Sequence, residues 1–180
     1  QGALRFSFPG THTFVDSQLR AAPPVTTLPE LQAVALELTR QHINNLDHLR
    51  RWLAVLVAPG ASLGGARPKA NFVDTDGTLW IGKFPSRNDK RDMAAWEMLA
   101  HTLARRARVA VPPARLARLG PGYRTFCVRR FDREVGRRVF FASALTMTGR
   151  QQSEGASYLD LALFLSTHGA PDHLATDLEQ

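Results

Sequence analysis

Residues 58–97 read APGASLGGARPKANFVDTDGTLWIGKFPSRNDKRDMAAWE. A loop of small residues comes first, then a strand with Lys83, then a helix with Glu97. Gly64, Gly65 and Ala66 carry almost no side-chain bulk, so backbone N–H groups there are open to an approaching anion. The interval from Lys83 to Glu97 accommodates a strand end, a short turn and about two helical turns. Loop, lysine and acid together suit a nucleoside triphosphate: N–H groups lie over the phosphates, the lysine neutralises them, and the acid fixes the lysine.

The standard phosphate loops do not fit. Gly60 and Gly65 imitate the spacing of a Walker loop, but Ala66-Arg67 stands where Lys followed by Ser or Thr is required, and no G-x-G-x-x-G is present. By themselves the glycines suit an ordinary helix-to-strand turn, and Lys83 a solvent-facing strand lysine. Their order tips the balance toward a nucleotide site, with Arg67 and Lys69 adding charge. On the lysine strand Leu79, Ile81 and Lys83 share a face, so Ile81 is expected to line the adenine side of the same cleft.

The loop also resembles that of the HipA-like serine/threonine-protein kinase toxins of bacterial type II toxin–antitoxin systems. Their Ser-x-x-Gly-Ala-x-x-Lys is matched here by Ser62, Leu63, Gly64, Gly65, Ala66, Arg67, Pro68 and Lys69. Residues 2–6 resemble the family's lead-in, Trp80 to Pro85 its lysine strand, Arg130-Phe131-Asp132-Arg133 its hinge, and Gly155 to Asp160 the opening of its larger lobe.

The resemblance implies an α+β fold: a protein-kinase-like small lobe with an antiparallel sheet and packed helices over residues 1–132, and the start of a helical larger lobe over 133–180. It implies ATP binding by Leu63, Gly64, Gly65, Ala66, Arg67, Lys69, Ile81 and Lys83, with Glu97 positioning the lysine. Backbone groups of Arg129 and Phe131 would pair with adenine, and Asp132 would lie near the ribose. The family often has an acid where Arg129 stands, a change that backbone pairing tolerates. Ser62 is implied as an autophosphorylation site, where phosphate would expel the loop from the cleft; a serine bonding its own backbone is the ordinary alternative. A DNA-binding antitoxin of the HipB type is the implied partner, with DNA met only through it. The implied target is an aminoacyl-tRNA synthetase or another translation component, the setting cytoplasmic, and the phenotype persistence.

Composition limits the alternatives. The net charge of +7 raises nucleic acid as a partner. Of 23 basic residues, however, only Lys69, Lys83 and Lys90 are lysines, and the arginines are spread along the chain. Where arginine serves for general charge, two lysines kept within the nucleotide motifs point to a compact ammonium. The lone Cys127 excludes an intramolecular disulfide framework, and the six histidines have no zinc-ligand spacing. No stretch is long and apolar enough to span a membrane.

Along the chain, Ala3 to Phe8 alternates like a strand, Pro9-Gly10 turns, and Thr13 to Val15 is expected to pair back. Helices are expected from Pro29, with Leu31, Val34, Ala35 and Leu38 inward, and from Leu46 to Val57. Asp74-Thr75-Asp76-Gly77 joins strands Lys69–Val73 and Thr78–Phe84. A helix over 89–107 is expected with Asp89 as its cap and Met93, Ala100, Leu103, Ala104 and Ala107 inward. Arg115–Leu119, Tyr123–Phe131 and Val139–Ala142 read as strands, Tyr158–Thr167 as a helix, and the tail from Gly169 as frayed.

Kinase chemistry also needs a catalytic aspartate and Mg2+ ligands. After the hinge the only aspartates not yet assigned are Asp160, Asp172 and Asp177, in no matching motif. The chain therefore reads as an excised piece that starts at Gln1 and stops before its catalytic centre, with no catalytic or metal residue of its own and Mg2+ ligands outside it. Two other classes stand beside the kinase reading: a basic nucleic-acid-binding domain and a catalytically silent interaction module.

Overall fold

The computed structural model describes residues 7–13, 27–38, 67–134 and 137–179. The expected helix over 46–57 and most of both N-terminal strands lie outside these residues. The turn between those strands is described: the Thr11 N–H donates to the Phe8 carbonyl, and Gly10 takes φ +76.

The fold is α+β, built on a four-stranded antiparallel sheet in the order β1-β2-β4-β3. Its strands are β1 (Lys69–Val73), β2 (Leu79–Lys83), β3 (Ala114–Ala117) and β4 (Thr125–Arg129). The β1–β2 connection ends with Gly77 at φ +79, a left-handed position that glycine fills without strain. Asp74 and Asp76 accept from the Thr75 and Thr78 N–H groups, which fixes the turn and hence the register.

Alternation sorts the strand residues onto two faces. One face carries Ala70, Phe72, Trp80 and Cys127, and helix α1 (Leu28–Leu38) covers it with Leu28, Leu31 and Ala35. Leu31 and Ala35 face inward as expected and Leu28 extends their row at helical spacing, while the Val34 and Leu38 side chains lie outside those described. Gly82 permits the close approach, since a Cβ there would meet Leu28 at 3.4 Å. A buried hydrogen bond, Thr125 Oγ1 to Gln32 Oε1 at 2.6 Å, ties α1 to β4. At the edge of this face Arg115 lies 4.5 Å over the Trp80 ring and pairs with Asp74.

Helix α2 (Met93–Arg106) packs on the other face, against β3 and β4. Two expectations for it are corrected. Asp92 is the cap, accepting from the Ala95 N–H at 3.0 Å, whereas Asp89 accepts from the Ser86 N–H and pairs with Arg67. Met93, Ala100, Leu103 and Ala107 are exposed, while Ala94 is buried and Glu97, His101 and Ala104 are half-buried. The inward face is set by polar pairing: Glu97 meets Lys83, and His101 Nε2 meets the Pro112 carbonyl at 2.7 Å. Those partners outrank the apolar stripe in orienting the helix.

Beyond β4 come a short hairpin, β5 (Arg133–Glu134) and β6 (Arg137–Arg138), then α3 (Ala144–Met147), α4 (Tyr158–His168), a 3-10 turn (Pro171–His173) and α5 (Leu174–Glu179). The strand expected over Val139–Ala142 does not form. Pairing is taken by β5 and β6, and the Val139 N–H donates to the Asp132 carbonyl instead. The tail is helical rather than frayed, started by Pro171 and packed on α4. No helix among the described residues is long and apolar enough to cross a membrane.

Candidate functional site

The β1–β2 register, counted outward from the turn, places Lys69 directly opposite Lys83 and Asn71 opposite Ile81. On β4 the corresponding partners are Phe126 and Val128. The sheet face away from α1 therefore has one row of Lys69, Lys83 and Phe126, and a second of Asn71, Ile81 and Val128. Two ammonium groups facing each other across a pair of strands repel. One of them is compensated: the Lys83 ammonium pairs with Glu97 on α2 and lies 5.4 Å over the Phe126 ring. Among the described residues, no carboxylate pairs with Lys69. Both partners of the Lys83–Glu97 pair are about one-third exposed, so the pair orients more than it stabilises.

At the far end of β4 the chain turns. The Arg130 N–H donates to the Leu79 carbonyl and the Arg129 N–H to the Pro113 carbonyl, both at 2.9 Å. From the Lys83 row to Arg130 is four residues along β4, about 13 Å of strand. Arg129 directs its side chain to the α1 face, as its pairing with Trp80 requires. Phe131 points outward and packs edge-on to Phe141 at 5.0 Å.

Asp132, by contrast, is buried at 3% exposure. Its Oδ1 accepts from Arg130 Nε at 2.7 Å, and its Oδ2 accepts from Arg130 Nη2 and from Arg133 Nη1, each at 2.6 Å. The hydrogen-bonded Arg130 guanidinium holds the Asp132 carboxyl below the ordinary carboxylate value. Arg130 Nη1 also reaches Asn71 Oδ1 at 3.2 Å, joining the turn to β1. A depression of about 580 Å³ lies between residues 110–113 and the turn, bordered by Arg130 and Phe131; neither Lys69 nor Lys83 lines it.

The structure thus brings Lys69, Ile81, Lys83 and Glu97 to one face, with Arg129, Phe131 and Asp132 at its end. Arg67 is held by Asp89 at the base of the loop. Ser62, Leu63, Gly64, Gly65 and Ala66 lie outside the described residues. The sequence reading missed Asn71 and Phe126; counting the register back from Asp74 and Thr78 would have found Asn71, whereas Phe126 joins Lys83 through the long-range β2–β4 pairing. Asp160, considered among the acids after the hinge, caps α4: its carboxylate accepts from the Ser157 N–H at 2.8 Å.

No curated protein and no solved structure matches the chain. The family model for the HipA-like C-terminal domain matches residues 61–180, which take in the paired lysines, Glu97 and the turn after β4. By that match, the chain belongs to the HipA-like C-terminal domain family.

Proposed function

We propose that these residues form the ATP-binding part of a HipA-like protein serine/threonine kinase. The observation that carries this reading is the opposition of Lys69 and Lys83, with Glu97 holding only one of them. An ammonium that no described carboxylate compensates, beside a compensated one, costs stability unless an anion lies against both, and phosphate is the anion that the neighbouring small-residue loop suits. Lys83 would bind the phosphates and Glu97 would orient it. Lys69 and backbone groups of residues 63–67 would complete the anion site, Ile81 would flank the base, and Arg129 and Phe131 would offer backbone groups to its edge. Boundaries at 1–132 and 133–180 would then separate the small lobe from the opening of the larger one.

Bound ATP supplies the phosphoryl group for transfer to a hydroxyl. The catalytic aspartate and the Mg2+ ligands come, in this reading, from outside these residues, so the chain by itself binds nucleotide and does not turn it over. This reading carries with it a toxin role in the cytoplasm beside a DNA-binding antitoxin, with a translation component as target, persistence as the outcome, and autophosphorylation of Ser62 as the off switch. Titration with ATP tests the binding claim: saturable binding lost in Lys83→Ala supports it. Binding that falls steeply with salt and prefers DNA would favour a nucleic-acid-binding domain instead. Phosphate transfer from ATP by the purified chain would overturn the placing of catalysis outside it.

A further inference from the structure

Asp132 has too many bonds for a residue that waits for a ligand. Both carboxylate oxygens are occupied, Oδ1 by Arg130 and Oδ2 by Arg130 and Arg133, and the group is buried. The Asp132 carbonyl accepts from Arg133 Nη1 at 2.8 Å and from the Val139 N–H at 3.1 Å. Through Arg130 the same cluster reaches Asn71, the neighbour of Lys69 on the same face of β1. Arg130 and Asp132 together therefore bridge the central part of β1, the end of β4 and the hairpin that follows. A bidentate guanidinium–carboxylate pair fixes orientation as well as distance, and a third donor on the same carboxylate leaves it little freedom to rotate toward a sugar hydroxyl. Turning Asp132 to a ribose would strand the Arg130 and Arg133 charges in a largely enclosed place.

Resting on the nucleotide-binding reading above, we infer that Asp132 is a positioning residue: with Arg130, Arg133 and Asn71 it clamps the turn after β4, so that the Arg129–Phe131 backbone is preset for the base, and it makes no bond to the ribose. Presetting a binding backbone lowers the cost of ordering it on binding. The clamp therefore acts on every adenine nucleotide alike, whatever its sugar.

The test compares ATP with 2′,3′-dideoxy-ATP, which lacks both ribose hydroxyls, on wild-type, Asp132→Asn and Arg130→Lys proteins. Hydrogen exchange at residues 129–139 is measured in parallel. The clamp requires Asp132→Asn to weaken both nucleotides by the same factor, about tenfold, the order of loss expected when a preset segment must instead be ordered on binding. Arg130→Lys keeps the charge but loses the fork, and it should show the same equal loss. Exchange should quicken at 129–139 and stay unchanged in β1 and β2. The inference is overturned if Asp132→Asn weakens ATP alone and spares the dideoxy nucleotide, the mark of a ribose contact, or if exchange at the turn is unaltered. If the wild-type protein binds neither nucleotide, the nucleotide-binding reading itself fails and takes this role with it. Should Asp132→Asn not fold, Arg130→Lys decides by the same ratio.

Discussion

Lys69 and Lys83 are direct cross-strand partners on β1 and β2, and Glu97 pairs with Lys83. On the proposed nucleotide-binding role, the arrangement trades stability for function. Replacing Lys69 with Met should raise the stability of the free protein by about 0.5 kcal/mol, because like charges facing each other across strands are removed. The same change should weaken binding of tripolyphosphate or ATP roughly tenfold or more, since a charge-assisted hydrogen bond is lost. Urea denaturation beside a binding titration checks both signs. A loss of stability with no change in affinity would mean that Lys69 is structural.

The Gln32–Thr125 bond should matter out of proportion to its size, because both side chains are buried where α1 meets the sheet. Gln32→Ala leaves the Thr125 hydroxyl without its acceptor and should cost about 1–3 kcal/mol. Gln32→Leu combined with Thr125→Val removes both polar groups and should recover much of that loss. Thermal melts of the three proteins would decide it.

Asp132 links the turn to pH. Its carboxyl lies below the ordinary value of 3.8 because it accepts from Arg130, so the unfolded chain takes up this proton at a higher pH than the folded one. The stability it contributes is fully present above 3.8 and is lost as the pH falls through the lower folded-state value. Unfolding midpoints measured from about pH 6 down to about pH 2 should drop less steeply in Asp132→Asn than in the wild-type protein.

Much of this was legible before the structure. The DTDG turn, the two strands beside it, the helix with Glu97 and the Lys83–Glu97 pairing all follow from local rules of turn chemistry and spacing. The rotation of α2 was not legible, because Lys83 and the Pro112 carbonyl, distant in sequence, draw Glu97 and His101 inward and so turn Met93, Ala100 and Leu103 outward. The Asp132 clamp was half visible: Arg130 and Arg133 are neighbours in the chain, but Asn71 joins them only through the sheet. The tail misled because its polar composition hides Pro171 at a helix start and the packing of α5 on α4.

Cys127 is buried beneath α1, and burial pushes its thiol up to about 11. At neutral pH almost no thiolate exists to react. An alkylating reagent should therefore leave Cys127 unmodified in the folded protein and label it fully in urea. Rapid labelling without denaturant would mean that α1 does not stay on the sheet.

The central claim is that the face bearing Lys69 and Lys83 holds a nucleotide whose base reaches the turn after β4. The most direct measurement is the set of backbone amide NMR shifts of the 180-residue protein during titration with ATP. Saturable shifts should appear at Lys69, Ile81, Lys83 and Arg129 to Phe131, with the α1 face of the sheet unmoved, and Lys83→Ala should abolish them. Shifts scattered over surface arginines that vanish with added salt, or no shifts at Arg129 to Phe131, would contradict it.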